Sequence, residues 1–441
     1  MKITFLGAVE EVTGSRYLIE HEQKKILVDC GLFQGQEKYT KHNWDPFPIK
    51  PSSIDALVIT HAHIDHTGYI PLLVKNGFNG KIYCSKGTYA LSAILLIDCG
   101  SILEEEAKRN NTEPLYTKRD AEYSLNFFEV IDYDTVVSLG SHLQVTLISS
   151  HHIIGASFVI ISDGTQKITF SGDLGRPQLI MKSPPPLEET DFLVMESTYG
   201  DRLHPEGDPI EALGTIINET VKKDGVVILA SFAVGRTQTI LYCLYQLLQK
   251  KVIPEIPIFL DSPMAIEVTN LFCNFSDEHT LGSLCKDVMS IAHYTPTVQE
   301  SKNLDSVTPP AIIIAGSGMV SGGRVVHHLK HFISDPKNTI VLLGFQAQGA
   351  DGRKLVDGDQ EIRIQGSLFT VKATVKSINT LSAHADSKEL VEWLGHFKTA
   401  PKKVFLTHGE LEAARSLKKK IEDRFGWSVV IPKYEESFEL D

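Results

Sequence analysis

Several absences narrow the reading of this chain before any motif does. Six cysteines in 441 residues, with no C-x-x-C pair among them, exclude a small domain held together by disulfides. Cys30, Cys84, Cys99, Cys243, Cys273 and Cys285 stand in apolar or mixed surroundings and read as buried free thiols. No run approaches the ~18–20 apolar residues that a membrane span requires. The opening residues Met1–Gly7 form a short strand-like run without the apolar core and cleavage site of a secretory signal, which makes a cytoplasmic protein the default. There is no internal repeat, no low-complexity tract and no Walker spacing. Nor is the chain basic: a net charge of −12 argues against a surface that tracks nucleic acid throughout. Bound metal or a local basic groove could still attract phosphate.

What remains is an ordinary globular composition, 42% hydrophobic and 22% charged, long enough for two to three domains. In the first half, short β-branched runs alternate with turns. Ser15–Glu20 and Lys25–Asp29 read as a hairpin, and Ile54–Thr60, Lys81–Ser85, Leu143–Ser149, Ser157–Ser162 and Lys167–Gly172 as further strands. Helices are expected at 66–76, ended by Gly77, and at 87–109. Beyond residue 200 the texture becomes strand–helix alternation: Val226–Phe232, 235–250, Ile258–Asp261, 263–273, Ala311–Gly316, 322–333 and Thr339–Phe345. That pattern predicts a parallel α/β unit with crossover helices. The last ~65 residues return to two strand–helix units, including strand Lys403–Thr407 and helix Leu411–Arg424. Because histidine-rich segments flank the α/β unit, one domain is expected to be inserted into another, with boundaries at 1–203, 204–378 and 379–441.

Histidine is the residue in excess, at 17, and its placement is not random. His61-Ala62-His63-Ile64-Asp65-His66 follows directly on the strand Ile54–Thr60. Imidazole and carboxylate are zinc ligands, and four of them within six residues can converge on a small volume. His61 and His63 can aim at one ion, Asp65 and His66 at a second. Three more metal-competent residues stand at strand ends beside glycine or another small residue: His152 after Leu143–Ser149, Asp173 after Lys167–Phe170, and His408 after Lys403–Leu406. Singly, each has an everyday alternative, Asp173 as a turn cap and His408 as a helix cap. Their common address at strand ends points to one site.

This order of residues resembles the metallo-β-lactamase superfamily, with an early strand-end aspartate, Asp29, then 61–66, His152, Asp173 and His408. The resemblance implies an α/β fold, an αββα sandwich carrying two Zn2+. It assigns His61, His63 and His152 to one zinc and Asp65, His66 and His408 to the other, with Asp173 between them. Asp29 would orient ligands without binding metal. The family's H-x-x-G spacing leads from His152 to Gly155, although the adjacent His151 leaves room for the other assignment. Inside the insertion and just around it, Met195–Gly200, Ala230–Arg236, Asp261–Ala265, Gly316–Met319 and Ser382–Asp386 resemble the signature segments of the β-CASP nucleases. The closest likeness is to bacterial and archaeal relatives of the polyadenylation cleavage endonuclease. No segment resembles the additional N-terminal RNA-binding domain of many archaeal members.

In that setting the chemistry distributes itself. Asp65 belongs to both the metal set and the catalytic set. His384 is a candidate to protonate or stabilise the leaving 3′ oxygen, and Glu196 to hold and tune it. Ser231, Arg236, Ser317, Gly318 and Arg324, at strand-to-helix turns, are candidates to grip backbone phosphates. The alternative for those turns is domain packing. His327, His328 and His331 read as solvated or core residues. RNA, single-stranded, is favoured over DNA because His408 falls where RNA-type members carry histidine. The resemblance suggests endonucleolytic cleavage and a homodimer, with no membrane partner. Two other readings stand beside it. One is a thioester or lactone hydrolase of the same fold, which suits the acidic charge but leaves the insertion without a task. The other is a non-catalytic RNA-processing partner, which would be expected to lack metal ligands.

Overall fold

The computed structural model describes every residue except 177, 178, 345 and 347–349. The chain divides into two units: Met1–Pro177 with Met181–Leu203 and His384–Asp441, and Gln178–Ile180 with His204–Ala383.

The first unit is built on two seven-stranded sheets. In one, the strands run in the order Ser437–Glu439, Lys2–Phe5, Tyr17–His21, Lys24–Val28, Ala56–Val58, Lys81–Cys84 and Phe128–Val130. In the other they run Val429–Val430, Lys403–Thr407, Phe192–Glu196, Lys167–Phe170, Ser157–Ser162, Leu143–Ser149 and Val137–Gly140. Alternate residues of both sheets meet in one apolar core, among them Ile3, Phe5, Ile26, Val28, Val145, Leu147, Phe170 and Phe405. The outer face of the first sheet is closed by helices Ile70–Lys75, Lys86–Asn110 and Lys118–Ser124 through Leu57, Ile59, Leu73, Leu96 and Ala121. The outer face of the second is closed by Ser387–Leu394 and Leu411–Phe425 through Leu193, Met195, Leu390 and Leu417. This is the αββα sandwich.

The second unit carries a six-stranded parallel sheet in the order His293–Tyr294, Ile258–Asp261, Ala311–Ala315, Val226–Ala230, Thr339–Leu343 and Thr374–Ile378. Its central strands read AIIIA, VVILA and TIVLL and are buried along their whole length. Such continuous apolar runs suit strands covered on both faces.

Several expectations are corrected. The helix expected at 66–76 is two, Ile64–Thr67 and Ile70–Lys75. Pro71 has no N–H to offer the Thr67 carbonyl, and the helix breaks where that bond is missing. Cys273 and Cys285 are disulfide-bonded, because the turn between helices Pro263–Phe272 and Cys285–Met289 brings them together; Cys30, Cys84 and Cys243 are buried and free, and Cys99 is half-buried and free. Lys86–Asn110 is long and apolar enough, by length and composition, to cross a membrane. Here its Leu96 sits in a core cluster and its Gly100 lies against Thr117 and Lys118. Phe345, expected to end a strand, lies outside the described residues; the strand ends at Leu343.

Candidate metal centre

Every metal-competent residue singled out in the sequence sits where a strand of the first unit ends. Their placement begins with Asp29, which follows Lys24–Val28 in the left-handed region (φ 57°). Its carboxylate accepts from the Thr60 N–H and Thr60 hydroxyl, both at 2.8 Å, and meets His66 Nδ1 at 2.8 Å. Thr60 thereby fixes where the next strand ends and where His61 begins. His63 stands at the start of helix Ile64–Thr67, which presents Asp65 and His66, and Thr67 ties that turn back through Ala62 and His63 carbonyls at 3.0 Å. Gly172 (φ 51°) lets the Asp173 turn press on Thr60, where a Cβ would come within 2.7 Å of the threonine Cβ. The His152 turn is anchored by the Gly155 carbonyl, which accepts from Ser85 Oγ at 2.6 Å and Thr88 Oγ1 at 2.8 Å.

The donors fall into two sets. His61, His63, His152 and Asp173 offer ligand atoms within 4.8 Å of one another, and so do Asp65, His66 and His408. Asp173 reaches both sets: Oδ2 is 3.3 Å from His61 and 3.5 Å from His152, and Oδ1 is 3.3 Å from His66 and 3.6 Å from His408. His61 Nε2 lies 3.0 Å from His63 Nδ1, and His66 Nε2 3.2 Å from His408 Nε2. His151 is half-buried, turns to Ser149 Oγ at 3.0 Å, and belongs to neither set.

Charge states suit a cation. Burial pushes His61, His152 and His63 down, His63 to about 3, so their nitrogens carry lone pairs at neutral pH. Burial opposes ionisation of Asp65 and Asp173, yet the surrounding histidines outweigh it and hold both carboxyls low. Asp173 Oδ1 is buried and makes no hydrogen bond. The neutral imidazoles of His61, His63 and His152, with two ionised carboxylates and an unsatisfied oxygen, fit divalent metal of the zinc type.

Beside these sets, Asp173, Glu196 and His384 form a third. Glu196 ends the buried strand Phe192–Glu196, accepts from the Leu174 N–H, and lies 3.1 Å from His384 Nδ1. Burial lowers the His384 imidazole, but Glu196 and Asp173 outweigh it and push it up to about 9.

The five residues expected to hold phosphate lie in the second unit, at strand ends. Ser231 is buried, donates to the Phe232 carbonyl and accepts from Thr237; Gly318 packs on the Phe232 ring. Ser317 is tied to Gly322, and Arg236 donates to the Leu343 carbonyl. Arg324 departs from its expected part: it donates to Asp261 and to the carbonyls of Thr295 and Pro296. A guanidinium held this way braces its own domain instead of reaching out to a phosphate. His328, expected in solvent or core, is buried against Asp261 at 2.7 Å.

Residues with no metal donor escaped the sequence reading. The loop 6–15 grips the His408 turn: the His408 N–H donates to the Ala8 carbonyl and the Gly409 N–H to that of Glu11. Thr198 Oγ1 meets His408 Nδ1 at 3.1 Å. The glycine bracket Gly7…Gly14 was the available signal, since a Cβ on Gly7 would lie 1.8 Å from the Gly14 carbonyl oxygen.

Comparison with known proteins agrees with this architecture. Residues 10–211 match the family described as metallo-beta-lactamase superfamily, 237–355 the Beta-Casp domain, and 369–432 the Zn-dependent metallo-hydrolase RNA specificity domain. The fold and site define a metal-dependent hydrolase of the metallo-β-lactamase superfamily. Within it, the chain belongs to the β-CASP family. It is 35% identical over 430 residues to Ribonuclease TTHA0252 of Thermus thermophilus, covering 95% of each chain. It is 30% identical to Transcription termination factor FttA of Methanosarcina mazei, covering 95% of this chain and 68% of that protein. A crystal structure of a protein of unknown function from Enterococcus faecalis shares the fold at TM-score 0.61 and 14% identity, covering 99% of each chain.

Proposed function

We propose that the chain is a dinuclear-zinc ribonuclease that cuts single-stranded RNA internally, in the cytoplasm. The observation carrying this reading is Asp173, whose two oxygens each face one of the two histidine sets. His61, His63 and His152 would hold one zinc, Asp65, His66 and His408 the other, with Asp173 shared. When bound, the pair supplies charge neutralisation at a phosphodiester and lowers the pKa of a water to near neutrality. The protein's own part is positioning and proton transfer. Asp29 fixes the His66 ring by accepting at Nδ1, which commits its Nε2 to the centre. Glu196 holds His384 at Nδ1, so the imidazolium would donate a proton from Nε2 to the departing 3′ oxygen. Ser231, Arg236, Ser317 and Gly318 are the residues proposed to meet the RNA backbone. The name of the Thermus thermophilus relative and the RNA specificity domain support RNA as substrate.

A labelled circular RNA incubated with the zinc-loaded protein tests the reading, since only an internal cut opens a circle. Linear product from wild type, absent with His63→Ala, is expected. An inert RNA beside rapid thioester turnover would replace the ribonuclease with a small-molecule hydrolase, and a purified protein without zinc would replace the enzyme with a binding partner.

A further inference from the structure

Among the described residues the largest fully buried side chain is an arginine, Arg16, at 2% exposure. Burying a guanidinium is costly unless its charge and donors are met, and an apolar residue of similar size is often as stable or more so. The acid that acts on it is Glu11, itself buried, and burial pushes that carboxyl up to about 8, so it is mostly uncharged at neutral pH. Three ring faces receive the cation instead: Tyr69 at 4.1 Å, Phe33 at 4.7 Å and Phe47 at 5.5 Å. Both Nε and a terminal nitrogen donate to a single atom, the Gly31 carbonyl oxygen, at 3.0 and 2.8 Å.

Gly31 is two residues from Asp29, and its surroundings explain why it needs such a clamp. The Gly31 N–H donates to the Ser15 carbonyl, and the Ser15 N–H donates to the Asp65 carbonyl. Cys30 donates to the His66 carbonyl at 2.7 Å and Leu32 to that of Ile64 at 3.0 Å. Gly31 is pressed so close to Asp65 that a Cβ would lie 1.6 Å from its carbonyl oxygen. Segments 15–16, 29–32 and 64–66 are thus one backbone lattice, and that lattice carries Asp29, Asp65 and His66 together.

We propose that Arg16 is a positioning residue for the metal centre: caged by Phe33, Phe47 and Tyr69, it pins the Gly31 carbonyl and so holds Asp29, Asp65 and His66 in register. The proposal rests on the metal reading of that site, but its backbone half does not. Methionine at 16 would fill the cage with an apolar chain and leave the carbonyl without either donor. Lysine would keep the charge and offer a less well-matched donor.

The experiment compares wild type, Arg16→Met and Arg16→Lys by three measurements. These are thermal unfolding, amide hydrogen exchange of the metal-free protein, and zinc affinity by chelator competition. Arg16→Met is expected to melt near or above wild type, yet exchange faster at Gly31 and Cys30 than elsewhere. Its zinc affinity should fall by about 10–100-fold, the range for lost ligand-orienting contacts. Arg16→Lys should fall between. A merely structural arginine would lower the melting temperature and raise exchange throughout the first unit. Wild-type exchange at Gly31 and Cys30 in Arg16→Met, with zinc affinity within twofold, overturns the proposal. If Arg16→Met does not fold, the same readings on Arg16→Lys decide it, and wild-type values there overturn it. Should wild type bind no zinc, the metal reading fails while the exchange data still judge the clamp.

Discussion

Each unit buries an aspartate at a strand end, and the two are finished in opposite ways. Asp261, in the second unit, receives Thr295 Oγ1 and Ser301 Oγ at 2.6 Å, His328 Nε2 at 2.7 Å and the Arg324 guanidinium. Burial opposes its ionisation, but these four partners outweigh that and hold the carboxyl at about 2. Asp173, in the first unit, has histidines on all sides and an oxygen with no hydrogen bond. One carboxylate is complete within the protein. The other has the neutral imidazoles of His61 and His152 beside it and an oxygen left without a donor, open to a cation from outside. A buried acid braces its own domain when donors fill both oxygens, and points to a metal centre when one oxygen is left without a donor among histidines.

Replacing the two aspartates is the most direct way to break this comparison. Asp173→Ala should empty both ligand sets of metal and cut turnover by more than ~10⁴-fold, with zinc content by elemental analysis as the check. His384→Ala should leave the zinc content at the wild-type level and slow turnover by ~10²–10⁴-fold, the usual share of a general acid. A turnover equal to wild type would remove His384 from the chemistry. Asp261→Ala should do the reverse of Asp173→Ala: zinc is retained, while stability falls by about 3–5 kcal/mol because the half-buried Arg324 guanidinium loses its counter-charge. Denaturant unfolding resolved by unit would show it.

The smallest effect concerns Glu11, whose carboxyl burial raises from its ordinary 4.5 to about 8. A raised carboxyl favours the protonated folded state, so it costs no stability below pH 4.5, progressively more between 4.5 and 8, and a constant amount above. Glu11→Gln should therefore be neutral at pH 4.5 and stabilising by ~1–2 kcal/mol at pH 8.5. Melting curves across that range would check it, and a gain that shrinks with pH would contradict the assigned direction.

Much of the centre was legible in the sequence because zinc chemistry restricts ligands to a few residue types and the strand ends are marked by small residues. His61, His63, Asp65, His66, His152, Asp173 and His408 could be read off and are found gathered; so are Glu196 and His384. What could not be read is what works through backbone. The 6–15 loop grips His408 by main-chain bonds that any sequence could make. Arg16 carried no signal in the sequence, because its three rings lie up to 53 positions away. Arg324 was misread because an arginine at a helix start looks alike whether it faces a phosphate or Asp261.

The interrupted layout of the first unit also sets an order of events during synthesis. Strand Lys403–Thr407 lies between Phe192–Glu196 and Val429–Val430, so the second sheet stays open until that late segment has emerged from the ribosome. By then residues 204–383, which make up nearly all of the second unit, have already emerged. His384 and His408 arrive last, so the candidate metal centre stays incomplete until nearly the whole chain has been made.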